Sequence, residues 1–346
     1  MLTYFLKVID VIRETDDTVT IYFKQPNLKK IKYEAGQYLS VILKIGNRKY
    51  VRPYSLSSTP AFDDSLNITV KKIKDGIVSS YIFDQVNEGD IIEVIPPMGS
   101  FTFNKADFAI PPKTLVLWAG GSGITPLYSI VKKALLNEEL KRVVIVYSSK
   151  NKQSTIFYNQ LKGFQEQYRD RLKIIYFFSQ GVSKDVTYCY SGRLLNTDVI
   201  HILNSIAEEE MLAAHYICGP HALTDLVKIS LSNAGVDADY IYSEDFGGKH
   251  LIPANIKTRT IKLKKDDAIF NFEVLAGKTI LEAALDENID VPYSCQTGDC
   301  LLCLGQLLNG EVVNGKPINK VIPEYGCLLC STYPMDDNVE ILITNK

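Results

Sequence analysis

Pro292-Tyr-Ser-Cys-Gln-Thr-Gly-Asp-Cys-Leu-Leu-Cys303 is the stretch around which the rest of the chain makes sense. Cys295, Cys300 and Cys303 are spaced x4 and x2, and two more cysteines, Cys327 and Cys330, follow after a long gap. Three thiolates from one wrapped loop and a fourth from a distant segment is the ligand spacing of a [2Fe-2S] cluster. A second reading exists. Cys300-Leu-Leu-Cys303 and Cys327-Leu-Leu-Cys330 are two Cys-x2-Cys knuckles, which is zinc-ribbon spacing. The zinc reading leaves Cys295 over, whereas the cluster reading uses it and places Gly298 where a tight loop needs a glycine.

Composition bounds the remaining choices. At 346 residues two to three domains are expected, since single cores stop growing beyond roughly 250 residues. With 46% hydrophobic and 23% charged residues the chain reads as an ordinary globular protein. A net charge of -2 gives no basic stripe for nucleic acid. No run approaches the roughly 20 apolar residues of a membrane span, and the first residues lack the pattern of a secretory leader. Five of the seven cysteines fall in the last 52 residues, which suits a metal site in a reducing compartment better than a disulfide framework. A cytoplasmic location is the expectation.

The hydrophobic rhythm changes twice along the chain. Thr18–Phe23, Gln37–Leu43, Leu66–Lys72 and Asp90–Ile95 alternate with period two, which predicts short strands of a small antiparallel barrel over 1–108. Thr114–Trp118, Val143–Tyr147, Lys173–Phe177 and His215–Cys218 are short apolar runs separated by helical patterns. They predict an α/β doubly wound parallel sheet over 109–246. Residues 247–258 match neither period and read as a linker. From 259 to 346, Thr260–Leu263 and Ile269–Val274 form a hairpin, and Thr279-Ile-Leu-Glu282 is a capping box that opens a short helix ending near Asn288. From Arg259 onward 8 basic residues face 13 acidic ones, so the C-terminal part is acidic beside a slightly basic body.

Three further segments carry binding chemistry. Arg52-Pro-Tyr-Ser-Leu-Ser-Ser58 offers a guanidinium fork for phosphate, an aromatic face for a ring system and hydroxyls for ring nitrogens. Read blandly, it is an edge strand with a surface arginine. Gly76-Ile-Val-Ser-Ser80 stands where a helix over Tyr81–Val86 would begin, and backbone N–H groups at a helix N-terminus bind phosphate. A capped surface helix is the plain alternative. Leu115–Pro126 runs from strand to helix through Gly120, Gly121 and Gly123, with Thr125 as expected N-cap and Pro126 as first helical residue.

These segments, with Gly36-Gln37-Tyr38 upstream and Pro97-Met-Gly-Ser-Phe101 downstream, resemble the ferredoxin–NADP reductase superfamily, and Val291-Pro-Tyr-Ser-Cys295 resembles plant-type ferredoxins. The resemblance covers essentially the whole chain and implies a flavin barrel, a nucleotide domain and a C-terminal α+β β-grasp ferredoxin. It implies that Arg52 contacts the flavin pyrophosphate, Tyr54 packs on the isoalloxazine and Ser55 lies near N5. Val70, Lys71, Gly76, Val78, Ser79 and Ser80 complete the flavin set. Gly120, Gly121, Gly123, Thr125, Pro126, Cys218, Gly219, Pro220 and Phe246 hold the nicotinamide nucleotide, with Ser55, Cys218 and Glu244 at the reacting centre. Lys150 and Lys152 stand where NADPH-using relatives place an arginine, so NADH or NADPH stays open. The second flavin segment is not the Arg-Gly-Gly-Ser type of FMN-binding relatives, which favours FAD. The fourth ligand follows an apolar pair in the family, which selects Cys330 and gives Cys295, Cys300, Cys303 and Cys330. Leu301 and Leu304 depart from the small residues that relatives prefer.

The implied function is an electron-transfer oxidoreductase, from NADH or NADPH through FAD and a [2Fe-2S] cluster to a partner oxygenase, with the domain order of phenylacetyl-CoA epoxidase-type reductases. The alternatives are a reductase for a Rieske oxygenase, a desaturase or a hybrid-cluster protein, and, in a different class, a zinc-stabilised flavin-binding scaffold. No nucleic acid and no membrane span are expected.

Overall fold

A computed structural model describes residues 2–26, 30–181, 186–207, 212–246, 252–315 and 320–343. The first unit is built from β1 (Tyr4–Thr15), β2 (Thr18–Phe23), β3 (Tyr38–Ile45), β4 (Arg48–Ser55), β5 (Leu66–Lys71), α1 (Ile77–Gln85) and β6 (Ile91–Met98). The six strands form one sheet in the order β4-β3-β6-β1-β2-β5, every neighbouring pair antiparallel. An isolated antiparallel bridge from Leu56 to Ile68 joins the two ends of that order and closes the sheet. Alternation drives this arrangement. Inward residues such as Leu6, Val8, Val19, Ile21, Leu39 and Val41 form one apolar core. The period-two reading located four of these strands; β1, mostly exposed beyond Val8, and β4 carry too little alternation to be seen.

The second unit comprises β7 (Thr114–Gly120), α2 (Ile124–Leu136), β8 (Arg142–Ser149), α3 (Tyr158–Gln167), β9 (Leu172–Phe178), β10 (Cys189–Ser191), α4 (Asn196–Ala207), β11 (Ala213–Cys218), α5 (His221–Asn233) and β12 (Ile241–Glu244). Its sheet is parallel throughout, in the order β10-β9-β8-β7-β11-β12. Strands buried on both faces must be apolar throughout, and every residue of β7 is buried. The strand order reverses between β7 and β11, so their carboxyl ends flank the crevice where open α/β sheets bind ligands.

The third unit holds β13 (Arg259–Lys265), β14 (Ala268–Val274), α6 (Ile280–Asp286), β15 (Leu304–Asn309), β16 (Val312–Asn314), β17 (Gly326–Leu328), β18 (Thr332–Pro334) and β19 (Glu340–Ile343). A mixed five-stranded sheet, β14-β13-β19-β15-β17, packs on α6, and β16 pairs with β18. The expected capping box is present, with the Thr279 side chain accepting from the Glu282 N–H and the Glu282 carboxylate accepting from Thr279. Five of the twelve residues expected to link the second and third units, 247–251, lie outside the described residues.

Two helix starts differ from expectation. Helix α2 is capped by Gly123, so Thr125 and Pro126 occupy its first turn, and the Thr125 hydroxyl donates to Ser122 O at 2.9 Å. The turn Gly121–Gly123 is already helical, a 3-10 turn that runs straight into α2 and moves the start forward. Helix α1 begins at Ile77, which puts Val78, Ser79 and Ser80 inside its first turn.

Candidate functional site

The barrel meets both neighbours along the carboxyl half of β4, and the site lies there. Arg52 and Tyr54 alternate along β4 and are half-buried. The Arg52 guanidinium donates to the carbonyl of Val51 at 2.8 Å, which leaves most of its fork free for an anion. Burial pushes the Tyr54 hydroxyl up to about 12, with the positive charge of Arg52 opposing. Ser55 is buried directly across from Tyr38 on β3. The two flanking segments singled out in the sequence also pack together. Gly36, at φ +99°, lets its Cα close on the Phe101 carbonyl, where an added Cβ would stand 2.0 Å from the oxygen. A Cβ added to Gly99 would stand 3.0 Å from the Tyr38 ring, and the Gln37 side chain donates to the Gly99 carbonyl at 3.2 Å.

Not every expected flavin contact can be a side-chain contact. Val70 and Val78 point into the barrel core, so only their backbones can face a ligand. Lys71 forms an ion pair with Asp17 at 3.2 Å. Ser79 is turned inward: its hydroxyl accepts from Ile73 N–H at 3.3 Å and donates to Gly76 O at 3.4 Å. A Cβ on Gly76 would collide with the Ile73 side chain and the Ser79 hydroxyl, at 2.4 and 2.5 Å. The N-terminus of α1 therefore offers backbone N–H groups and the half-buried Ser80.

At the crevice of the parallel sheet the glycines divide. An added Cβ on Gly123 would stand 2.2 Å from the carbonyl oxygen of Cys218, and on Gly120 2.7 Å from Pro220 Cδ. A Cβ on Gly219 would in turn stand 2.9 Å from the Gly120 backbone nitrogen. These three glycines let β7, α2 and the β11 turn touch backbone to backbone. Gly121, at φ +53° with open space around it, is the one that leaves room for a ligand. Thr125 and Pro126 are buried under this turn. Lys150 is exposed, Lys152 rests with its ammonium 5.1 Å from the Tyr158 ring, and Phe246 is exposed beyond β12.

Ser55, Cys218 and Glu244 converge although they come from three strands. Cys218 and Glu244 are register partners on β11 and β12, and the Ser55 hydroxyl hydrogen-bonds the Glu244 carboxylate. Burial raises the Glu244 carboxyl to about 8, the negative charge of Asp299 adds to the effect, and the Ser55 bond opposes it. Its second oxygen, Oε2, is buried without a protein hydrogen-bond partner. Burial, with the charges of Glu244 and Asp245, also pushes the Cys218 thiol up. An orphaned carboxyl oxygen beside a neutral thiol is a site waiting for a polar ligand atom.

Across the barrel the cysteine loop wraps back on itself through left-handed residues at Gln296, Gly298 and Leu301. Backbone N–H groups of Thr297, Asp299 and Cys300 point at the Cys295 sulfur at 3.3, 3.4 and 3.4 Å. The thiols of Cys300 and Cys330 also hydrogen-bond Cys295 and lower its pKa. Cys330 bonds Cys303 in turn and lowers it. The four sulfurs thus form a chain of contacts, Cys300–Cys295–Cys330–Cys303. Four thiols joined in one chain of contacts, with N–H groups aimed at Cys295, are a donor set that fits a two-iron cluster. Cys327 lies on β17, forms none of these sulfur contacts, and is pushed up to about 12 by burial and the Cys303 charge. Leu301 and Leu304 are half-buried against the apolar core beside Cys303.

Sequence reasoning missed the residues that join these two halves. The Ser40 and Ser294 hydroxyls are 2.5 Å apart, the Tyr293 hydroxyl accepts from Val51 N–H at 3.1 Å, and Gln296 donates to Val51 O at 3.4 Å. Alternation along β3 was a usable signal, because Tyr38, Ser40 and Ile42 share one face.

Comparisons with known proteins agree with this geometry. An oxidoreductase FAD-binding domain model matches residues 6–103, an oxidoreductase NAD-binding domain model 117–228, and a 2Fe-2S iron-sulfur cluster binding domain model 263–335. The ferredoxin reductase component of 3-ketosteroid-9-alpha-monooxygenase from Rhodococcus rhodochrous is 29% identical, over 97% of this chain and 95% of that protein. The E component of 1,2-phenylacetyl-CoA epoxidase from Escherichia coli K12 is 27% identical, over 89% of this chain and 87% of its own. Phthalate dioxygenase reductase, described as a modular structure for electron transfer from pyridine nucleotides to [2Fe-2S], shares the fold with a TM-score of 0.67 and 24% identity, over 99% of this chain and 98% of that one. With FAD-binding, NAD-binding and 2Fe-2S cluster binding domains matched in that order, the chain is an oxidoreductase with the three-domain, ferredoxin–NADP-reductase-like fold of phthalate dioxygenase reductase.

Proposed function

We propose that this chain draws electron pairs from NADH or NADPH and delivers them singly to a separate oxygenase. The observation that carries the reading is the meeting of two half-sites on one barrel edge: Ser55, Cys218 and Glu244 on one side, the four-sulfur loop on the other. FAD supplies the exchange between hydride and single-electron transfer, and a [2Fe-2S] cluster the one-electron exit.

The protein residues bind, orient and exclude water. Arg52 and the N–H groups at the start of α1 hold the flavin diphosphate, Tyr54 covers the ring and Ser55 anchors its edge. Gly121 admits the dinucleotide phosphates, while Cys218 and Glu244 place the nicotinamide. Cys295, Cys300, Cys303 and Cys330 hold the cluster. On this reading the domains run 1–108, 109–246 and 259–346, with 247–258 between them. All seven cysteines are free, which supports a reducing, cytoplasmic setting. No described helix is long and apolar enough to cross a membrane.

For the acceptor we favour an oxygenase of the phenylacetyl-CoA epoxidase type, supported by the shared domain order and the likeness to the E component of that enzyme. The longer match to the 3-ketosteroid monooxygenase component supports a second reading, a ring-hydroxylating partner. Reconstituted turnover with each purified oxygenase decides between them.

The direct test is an anaerobic titration of the purified protein with NADH and NADPH, followed in the visible. Flavin bands and the broad red-brown absorbance of a [2Fe-2S] centre are expected, both bleaching on reduction. Flavin bands without that absorbance would sink the proposal in favour of a zinc-stabilised scaffold. Cys330→Ser should remove the cluster absorbance and Cys327→Ser should keep it; the reverse result reassigns the fourth ligand.

A further inference from the structure

Besides Glu244, a buried oxygen on the barrel edge has no well-formed hydrogen bond among the described residues. It is the hydroxyl of Tyr38. Tyr38 is only 6% exposed, so its hydroxyl has no route to bulk water, and a buried O–H left unpaired is costly. Ser294 Oγ comes within weak hydrogen-bonding reach of it, but the serine hydroxyl is paired with Ser40 at 2.5 Å and no well-formed bond to Tyr38 results.

The direction of that hydroxyl follows from the strand. Side chains two apart on β3 share a face. Ile42 packs in the apolar core of the ferredoxin domain, and Ser40 bonds Ser294, the residue before Cys295. Tyr38 is next on this face. Its neighbours across the sheet are Ser55 on one side and Met98 on the other, and Gly99 braces the ring. The charges felt by its hydroxyl belong, in falling order, to Cys300, Cys295 and Asp299, all on the cysteine loop. No described flavin-site side chain appears among them.

We propose that Tyr38 is a hydrogen-bond donor from the flavin barrel to the iron–sulfur cluster, directed at the Cys295–Cys300 end of the sulfur cage. The inference rests on the four cysteines holding that cluster. A donated bond to cluster sulfur stabilises the more negative, reduced form and so raises the reduction potential. Tyr38 is thereby a positioning residue. It ties cluster potential to the docking of the ferredoxin domain on the barrel, because the donor is carried by one domain and the acceptor by the other.

The test uses the full-length holoprotein. In Tyr38→Phe the cluster midpoint potential, followed by EPR in a redox titration, is expected to fall. An exchangeable proton coupling seen by ENDOR in the reduced wild-type cluster should disappear. Flavin content and NAD(P)H-to-ferricyanide turnover serve as controls for folding. Placing 3-fluorotyrosine, a stronger donor, at position 38 should shift the potential the opposite way, so the test survives poor folding of the phenylalanine variant. An unchanged cluster potential in both variants overturns the proposal, as does a shift confined to the flavin couple. Absence of any cluster EPR signal in the wild type would instead overturn the cysteine assignment beneath it.

Discussion

The barrel is held to its two neighbours by different physics. Toward the nucleotide domain the seam is polar and closed. Lys132 of α2, 2% exposed, reaches Asp63 at 2.5 Å, with the Tyr128 ring 4.6 Å away. The Thr59 hydroxyl donates to Ser129 O at 2.7 Å, the Ser129 hydroxyl donates to Ser58 O at 2.6 Å, and Lys133 meets Glu34 at 2.7 Å. Toward the ferredoxin domain the seam combines an apolar core with the hydrogen bonds made by Tyr293, Ser294 and Gln296. Ile42, Val51 and Ile95 belong to the same core as Leu263, Ile280 and Ile341. A cavity of about 520 Å³ remains beside it, and the ion pairs Arg48–Asp286 and Lys49–Asp290 are exposed. Buried directional bonds fix relative orientation, whereas apolar contact tolerates small shifts.

That contrast can be tested, starting with the group at which all three units meet. Glu244, on β12, bonds Ser55 of the barrel and feels Asp299 of the ferredoxin domain. Its folded pKa, about 8, lies above the ordinary 4.5, so the native state holds a proton that the unfolded chain has released in between. Stability therefore falls as pH rises across that window, by on the order of 5 kcal/mol at most. Glu244→Gln should flatten the decline in urea-denaturation free energies measured from pH 5 to 9. A wild-type profile without that slope would mean the carboxyl is solvated.

Lys132→Ala removes one partner of a mostly buried pair, and a loss of about 3 kcal/mol is expected from the same denaturation measurement. The nucleotide domain should loosen first, seen as faster amide exchange in α2. Ser294→Ala breaks the hydroxyl pair on the other seam. A loss of about 1 kcal/mol is expected, with little change in flavin reduction by NADH in stopped flow. Arg48→Ala should change the thermal midpoint least, because an exposed pair is screened by water and salt. If Arg48→Ala costs as much as Lys132→Ala, the two seams do not differ in the way described.

Much of this architecture is legible in the chain itself. The apolar runs at 114–118, 143–147, 173–177 and 215–218 lie within β7, β8, β9 and β11, because a strand buried on both faces has no polar position to interrupt it. The capping box at Thr279 is visible for a local reason, a side chain and a backbone group three residues apart. Less legible is the division of labour among the glycines. Gly120, Gly121 and Gly123 look alike in sequence, yet two of them make room for the backbone of a strand nearly a hundred residues away. Val70, Val78 and Ser79 read as facing a ligand but turn inward, since the sense of a strand or helix face is set by what packs behind it.

The sequence alone settled the cysteine spacing, the order of a period-two barrel, a doubly wound sheet and an acidic C-terminal unit, and the local signals that start helices. Each of these is written in neighbouring residues, where covalent geometry and burial leave a periodic mark. Tertiary structure alone decided that the Ser55 hydroxyl reaches Glu244 across two domains, that Cys330 bonds both Cys295 and Cys303, and that Ser40 of β3 pairs with Ser294 beside the cysteine loop. Those facts depend on which strands lie side by side, and pairing across long separations leaves no period in the chain.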